Sequence, residues 1–146
     1  MNTTGKRRIT RTITGALSLL MTAGLGLAAA GPAAAAPPAG TWDLTPPTPS
    51  HCNAWKSHTA SLHVAFRTCN ITSGNYAQSM VVVRSDAPRN VNIEGRVFTN
   101  YGGDVRCRVT ALAPGGQAGC LGPTKRRPAS IVSYSDLYLN GHRDRN

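Results

Sequence analysis

The chain is poor in acids and in aromatics, and from residue 51 onward it contains no stretch with helical hydrophobic periodicity. Its six carboxylates are Asp43, Asp86, Glu94, Asp104, Asp136 and Asp144. Only Glu94 and Asp136 fall inside strand-like segments, where both are expected on solvated faces. Nothing pairs two acids across a substrate, so glycoside hydrolysis has no support. Two Trp, two Phe and four Tyr are too few for a base-stacking track, which makes nucleic acid an unsuitable partner. There is no HExxH and no CxxC, so no metal set is expected. His51, His58, His63 and His142 read as surface side chains, and His58 and His63, five apart, would face opposite sides of a regular strand. A Gly-x-Ser-x-Gly elbow and a glycine-rich phosphate loop with its lysine are also missing. No catalytic residue is assigned, no cofactor is expected, and the expectation is a protein that is not an enzyme.

What the chain has is positive charge, a leader and four cysteines. The formal net charge is +10. Lys6, Arg7, Arg8 and Arg11 precede the apolar run from Gly15 to Leu27, and Ala33–Ala36 supplies small-residue cleavage frames. This is the pattern of a secretory signal peptide, expected over residues 1–35, with roughly residues 12–30 helical. Cleavage after Ala36 would put Pro37 beside the scissile bond, so Ala35 is the favoured site. The rest carries 12 Lys/Arg against 6 acids, or +6, and ten of those cations are arginine. Secretion without a lasting membrane anchor follows from the leader. All four cysteines, Cys52, Cys69, Cys107 and Cys120, lie beyond it, as disulfides outside the cytoplasm require. Three pairings are open. Cys52–Cys69 and Cys107–Cys120 are expected because each closes a local loop.

Residues 36–50 hold five of the ten prolines, in Pro37-Pro38 and Pro46-Pro47-Thr48-Pro49, and read as a linker. Whether Trp42 is free there or sits on an edge strand is open. From residue 51 the pattern is all strand. Leu62, Val64 and Phe66 alternate with polar neighbours, as do Val91, Ile93 and Val97, Val105, Cys107 and Val109, and Leu137 and Leu139. Met80–Val83 is a short apolar run suited to burial on both faces. Gly95 marks a bulge or a close approach. Ala113-Pro114-Gly115-Gly116 fits a type II turn. Strand starts every 10 to 16 residues or so, with turn clusters between, indicate an antiparallel β-sandwich of about seven strands over 51–142, followed by a polar tail at 143–146.

The stretches Gln78–Gly95, Leu112-Ala-Pro-Gly-Gly116, Cys120-Leu-Gly-Pro-Thr124 and Ser135–Gly141 resemble small uncharacterised secreted proteins of actinobacteria. They also resemble bacterial immunoglobulin-like modules, in which a Leu-x-Pro-Gly corner leads into the next strand. A regular hairpin at Pro114-Gly115 would set Cys107 opposite residue 122, so the expected bridge needs a bulge or a change of sheet. The resemblance implies the change of sheet. It implies a fold and a compartment, and no activity.

The remaining signal is cationic. Arg106 and Arg108 share one strand face, and with Arg96, Lys125, Arg126 and Arg127 they form a candidate basic patch for an anionic cell-wall polymer or an extracellular protein. The alternative is a secreted protease inhibitor that presents a rigid loop at 122–128, with Lys125-Arg126-Arg127 as bait.

Overall fold

The computed structural model describes residues 35–146. All but the last residue of the expected leader, and the helix expected over 12–30, lie outside the described residues. Twelve strands follow in chain order: β1 (Ala39–Gly40), β2 (Trp42–Asp43), β3 (His51–Cys52), β4 (Lys56–His58), β5 (Ser61–Ser73), β6 (Tyr76–Ser85), β7 (Val91–Thr99), β8 (Val105–Leu112), β9 (Gln117–Leu121), β10 (Lys125–Arg126), β11 (Ser133–Leu139) and β12 (His142–Arg145). They make two sheets. One has five strands in the order β1-β8-β7-β11-β12. The other has seven, ordered β2-β9-β6-β5-β3, with β10 beside β6 and β4 beside β5. The chain is an all-β sandwich with two disulfides, Cys52–Cys69 and Cys107–Cys120. Six strands of five residues or more carry the layers, and six short ones finish the edges.

The core follows the period-2 pattern. Val64 and Phe66 from β5, Val81 and Val83 from β6, Ile93 and Val97 from β7, and Leu137 and Leu139 from β11 are buried between the sheets. A second, smaller cluster lies on the other face of the seven-stranded sheet. Cys69, Met80 and Val82 are buried there under Cys52, Trp55, Ile71 and Leu121. This explains why Met80–Val83 is apolar on both faces: the segment around residues 52–55 covers the side of β6 that would otherwise meet water.

Each bridge has a different mechanical role. Cys52 and Cys69 are directly opposed on β3 and β5, with Cα atoms 4.0 Å apart. The flanking Ser50 and Asn53 amides donate to Asn70 and Thr68, so the cysteines occupy a non-hydrogen-bonded pair, where side chains are closest. Cys107 and Cys120 lie in different sheets, on β8 and β9. Between them the Gly116 amide donates to the Ala113 carbonyl at 3.0 Å and Gly115 has φ of 68°, as a type II turn requires. The turn is a corner between sheets, and the bridge ties the two layers through the core.

The structure corrects several sequence readings. Val109 is not in the core but 63% exposed. The pairing of β7 with β8 shifts between Ile93/Thr110 and Gly95/Cys107, so Arg108 and Val109 together oppose Glu94. This bulge turns both outward and returns Thr110 and Leu112 to the inner phase. Leu62, 88% exposed, lies in the part of β5 skipped by the irregular β4 pairing, which jumps from Ser57/Ala65 to His58/Ser61. Within the 36–50 segment, β1 pairs in parallel with β8 and β2 pairs with β9. Trp42 is therefore on an edge strand, packed against the core. Gly95 serves as both bulge and close approach: a Cβ there would lie 2.8 Å from the Trp42 ring. Residues 142–145 are a strand rather than a free tail, turned back by Asn140 and Gly141, both at positive φ.

Candidate anion-binding face

The outward face of the five-stranded sheet collects residues that sequence spacing separates. Register places Arg106 beside Arg96, Arg96 beside Asp136, and Asp136 beside Arg145. This row crosses β8, β7, β11 and β12, about 14 Å at the usual strand spacing. Parallel to it, Glu94 sits beside Tyr138 and Tyr138 beside Arg143. Phe98 and Tyr134 stack at 4.8 Å between ring centres.

The charges are arranged in two clamps. Glu94 Oε1 accepts from Arg106 Nε at 2.7 Å and from Arg96 Nη2 at 3.3 Å. Asp136 takes Arg143 Nη2 at 2.8 Å and Arg145 Nε at 2.8 Å on its two oxygens. The carboxylates lie underneath, with the Asp136 side chain only 2% exposed, while Arg106, Arg143 and Arg145 remain about half exposed. Glu94 and Asp136, expected in water, are thus covered by the arginines they attract. The Asp136 hydrogen bond raises the Arg145 pKa above its ordinary value, so this cation is permanent. Arg96 and Arg145 also lie over the rings of Tyr138 and Tyr134, at 4.9 and 4.6 Å from the ring centres, which holds the guanidiniums flat. Arg108 makes no ion pair among the described residues. Five arginines against two acids leave this face at +3, and the cationic groups are the outermost.

Beside β8 the face deepens into a groove of about 480 Å³, lined by Glu94, Arg96, Arg106 and Arg108 and walled by Ala36, Pro37, Ala39 and Val109. β1 builds this wall, since the Arg106 amide donates to the Pro38 carbonyl at 3.0 Å. The Trp42 indole donates to the Arg108 carbonyl at 2.9 Å.

The expected patch is therefore divided. Arg96, Arg106 and Arg108 are together. Lys125 and Arg126 pair with Ala77 and Tyr76 on the other sheet, and Arg127 donates its amide to Asn75. Arg143 and Arg145 were missed because they fell in the expected tail. The Asn140-Gly141 dipeptide, a strong hairpin signal, was the clue to β12.

Among the described residues the histidines and hydroxyls form no nucleophilic set. His58 is buried rather than exposed. Its Nδ1 accepts from the Ala60 amide and its Nε2 faces the Leu137 carbonyl at 3.2 Å, so backbone groups take both nitrogens. At one end of the interior, Asn70 Oδ1 accepts from Ser79 and Ser133, and Ser79 also meets the Tyr101 hydroxyl. Burial raises the Tyr101 pKa, opposed by the Ser79 bond, while the charge of Asp104 adds to the rise. The Asn70 side chain is thus engaged in an internal network. Among the described residues no three His, Cys, Asp or Glu gather as metal ligands would.

No family model, curated protein or solved structure matches the chain.

Proposed function

We propose that this is a secreted, non-enzymatic, immunoglobulin-like β-sandwich protein that binds an anionic partner, a cell-wall polymer or an acidic extracellular protein, through the arginine face of its five-stranded sheet. The observation that carries the reading is the covering of the part-buried Glu94 and the buried Asp136 by half-exposed arginines. Unused guanidinium donors then face outward, fixed in direction and suited to paired anionic oxygens. The immunoglobulin-like reading draws on the inter-sheet bridge and the corner at Ala113–Gly116. Secretion draws on the leader and on two disulfides in a small domain. Removal of residues 1–35 would leave the ammonium of Ala36 at the rim of the groove, one more cation.

Passing the protein over its own cell-wall fraction and over immobilised polyphosphate, at low and high salt, tests the reading. Retention at low salt and release at high salt is expected. Passage through both at low salt would remove it.

The inhibitor alternative draws on Lys125 and Arg126, exposed and extended on β10. Stoichiometric loss of trypsin activity would favour it.

A further inference from the structure

We propose that the groove beside β8 is a discrete subsite for a tetrahedral oxyanion borne on a short apolar body, a phosphate ester above all. This rests on the reading of the surrounding face as anion-binding and assigns one ligand group to one place on it.

The donor set carries the argument. Glu94 uses one oxygen for Arg96 Nε, Arg96 Nη2 and Arg106 Nε. That leaves Arg96 Nη1, both Nη groups of Arg106 and the whole Arg108 guanidinium without an ion-pair partner among the described residues. Arg106 and Arg108 lie two positions apart on β8, and Arg96 comes from β7 beside them. All three line one groove. A carboxylate presents its acceptor sites in a single plane. A phosphate offers three or four acceptors pointing in different directions, which three separate forks can share. Three cations against Glu94 give the groove +2, which covers a phosphodiester monoanion or a phosphate monoester dianion.

The opposite wall is apolar. Ala36, Pro37, Ala39 and Val109 carry no hydrogen-bonding side chain, and Val109 is there only because the bulge turned it out of the core. A volume near 480 Å³ lies within the range of small-ligand sites and exceeds what a bare phosphate fills. The preferred ligand therefore carries a few carbon atoms on its phosphate, as a repeating unit of a phosphodiester polymer or a phospholipid headgroup does.

The test uses the full chain and calorimetric titration with propyl phosphate, inorganic phosphate and butyrate. Propyl phosphate is expected to bind about ten-fold more tightly than inorganic phosphate, through burial of its methylenes, and butyrate more weakly still. Arg108→Gln, whose side chain supports no other described contact, is expected to weaken propyl phosphate about ten-fold. Val109→Asp, on the wall, should abolish binding. Arg143→Gln, on the same face but outside the groove, should leave it within about two-fold. Thermal melts show whether each variant is folded. Equal loss in Arg108→Gln and Arg143→Gln, or butyrate binding as well as propyl phosphate, would overturn the subsite. Polyphosphate retention with no propyl phosphate binding would overturn the subsite alone. Propyl phosphate binding that depends on Arg108, without polyphosphate retention, would keep the subsite and remove the wider reading. Competition by soluble poly(glycerol phosphate) would identify a polymer source, and competition by phosphatidylglycerol vesicles a lipid source. Competition by neither would count against the site.

Discussion

Asp144 shows how a polar residue at the edge becomes part of the framework. Burial pushes its carboxyl up, but the Lys56 ammonium at 2.6 Å and the Thr59 and Arg145 amides outweigh it and hold the pKa at about 2, below the ordinary 3.8. A depressed carboxyl stabilises the fold fully above its unfolded pKa and loses that contribution as pH falls through the folded one. Asp144→Asn should therefore be less stable than wild type near neutrality, and the gap in melting temperature should close between about pH 4 and about pH 2. A gap that stays constant over that window would contradict the assignment. A second residue-scale test concerns Gly95, where the Trp42 ring leaves no room for a methyl. Gly95→Ala should cost about 1–3 kcal/mol, and much less when Trp42 is already Ala, because the two share one contact. Burial was legible where spacing is regular, as at Ile93 and Val97. It was not at Val109 or Asp136. The first depends on how the bulge that Gly95 marks shifts the partner strand β8, and the second on arginines delivered by another strand.

Among the elements, the long strands and the corner at Ala113–Gly116 could be read directly, because alternation and turn chemistry are local. β1, β2 and β12 could not, since two to four residues carry no period and owe their place to tertiary partners. The two bridges are expected to differ in weight. Both close short loops worth roughly 3 kcal/mol in chain entropy. Cys107 and Cys120 are also buried in the main core, whereas Cys52 is half-buried over the smaller cluster. Urea unfolding of Cys107→Ala/Cys120→Ala should show the larger loss, within the usual range of about 2–5 kcal/mol. A larger loss in Cys52→Ala/Cys69→Ala would mean that the outer cluster, not the inter-sheet bridge, dominates. For β10, trypsin should cut after Lys125 or Arg126 without loss of its own activity. Tight one-to-one inhibition would favour the alternative function.

At the scale of the molecule, the sandwich divides its cations between two sheets. Composition could announce the surplus but not the division, because β12 and the β7–β8 bulge together decide which arginines share a face. This makes the central claim separable from net charge. Arg106→Gln/Arg108→Gln/Arg143→Gln removes three cations from the face while leaving Glu94 and Asp136 one arginine each. Lys125→Gln/Arg126→Gln/Arg127→Gln removes the same charge from the other sheet. The decisive measurement is the salt dependence of polyphosphate binding for wild type and both triple variants. The face variant should lose affinity and about two to three of the counterions released, and the β10 variant should keep the wild-type slope. Equal losses in the two variants would show that the protein binds by overall charge and has no anion-binding face.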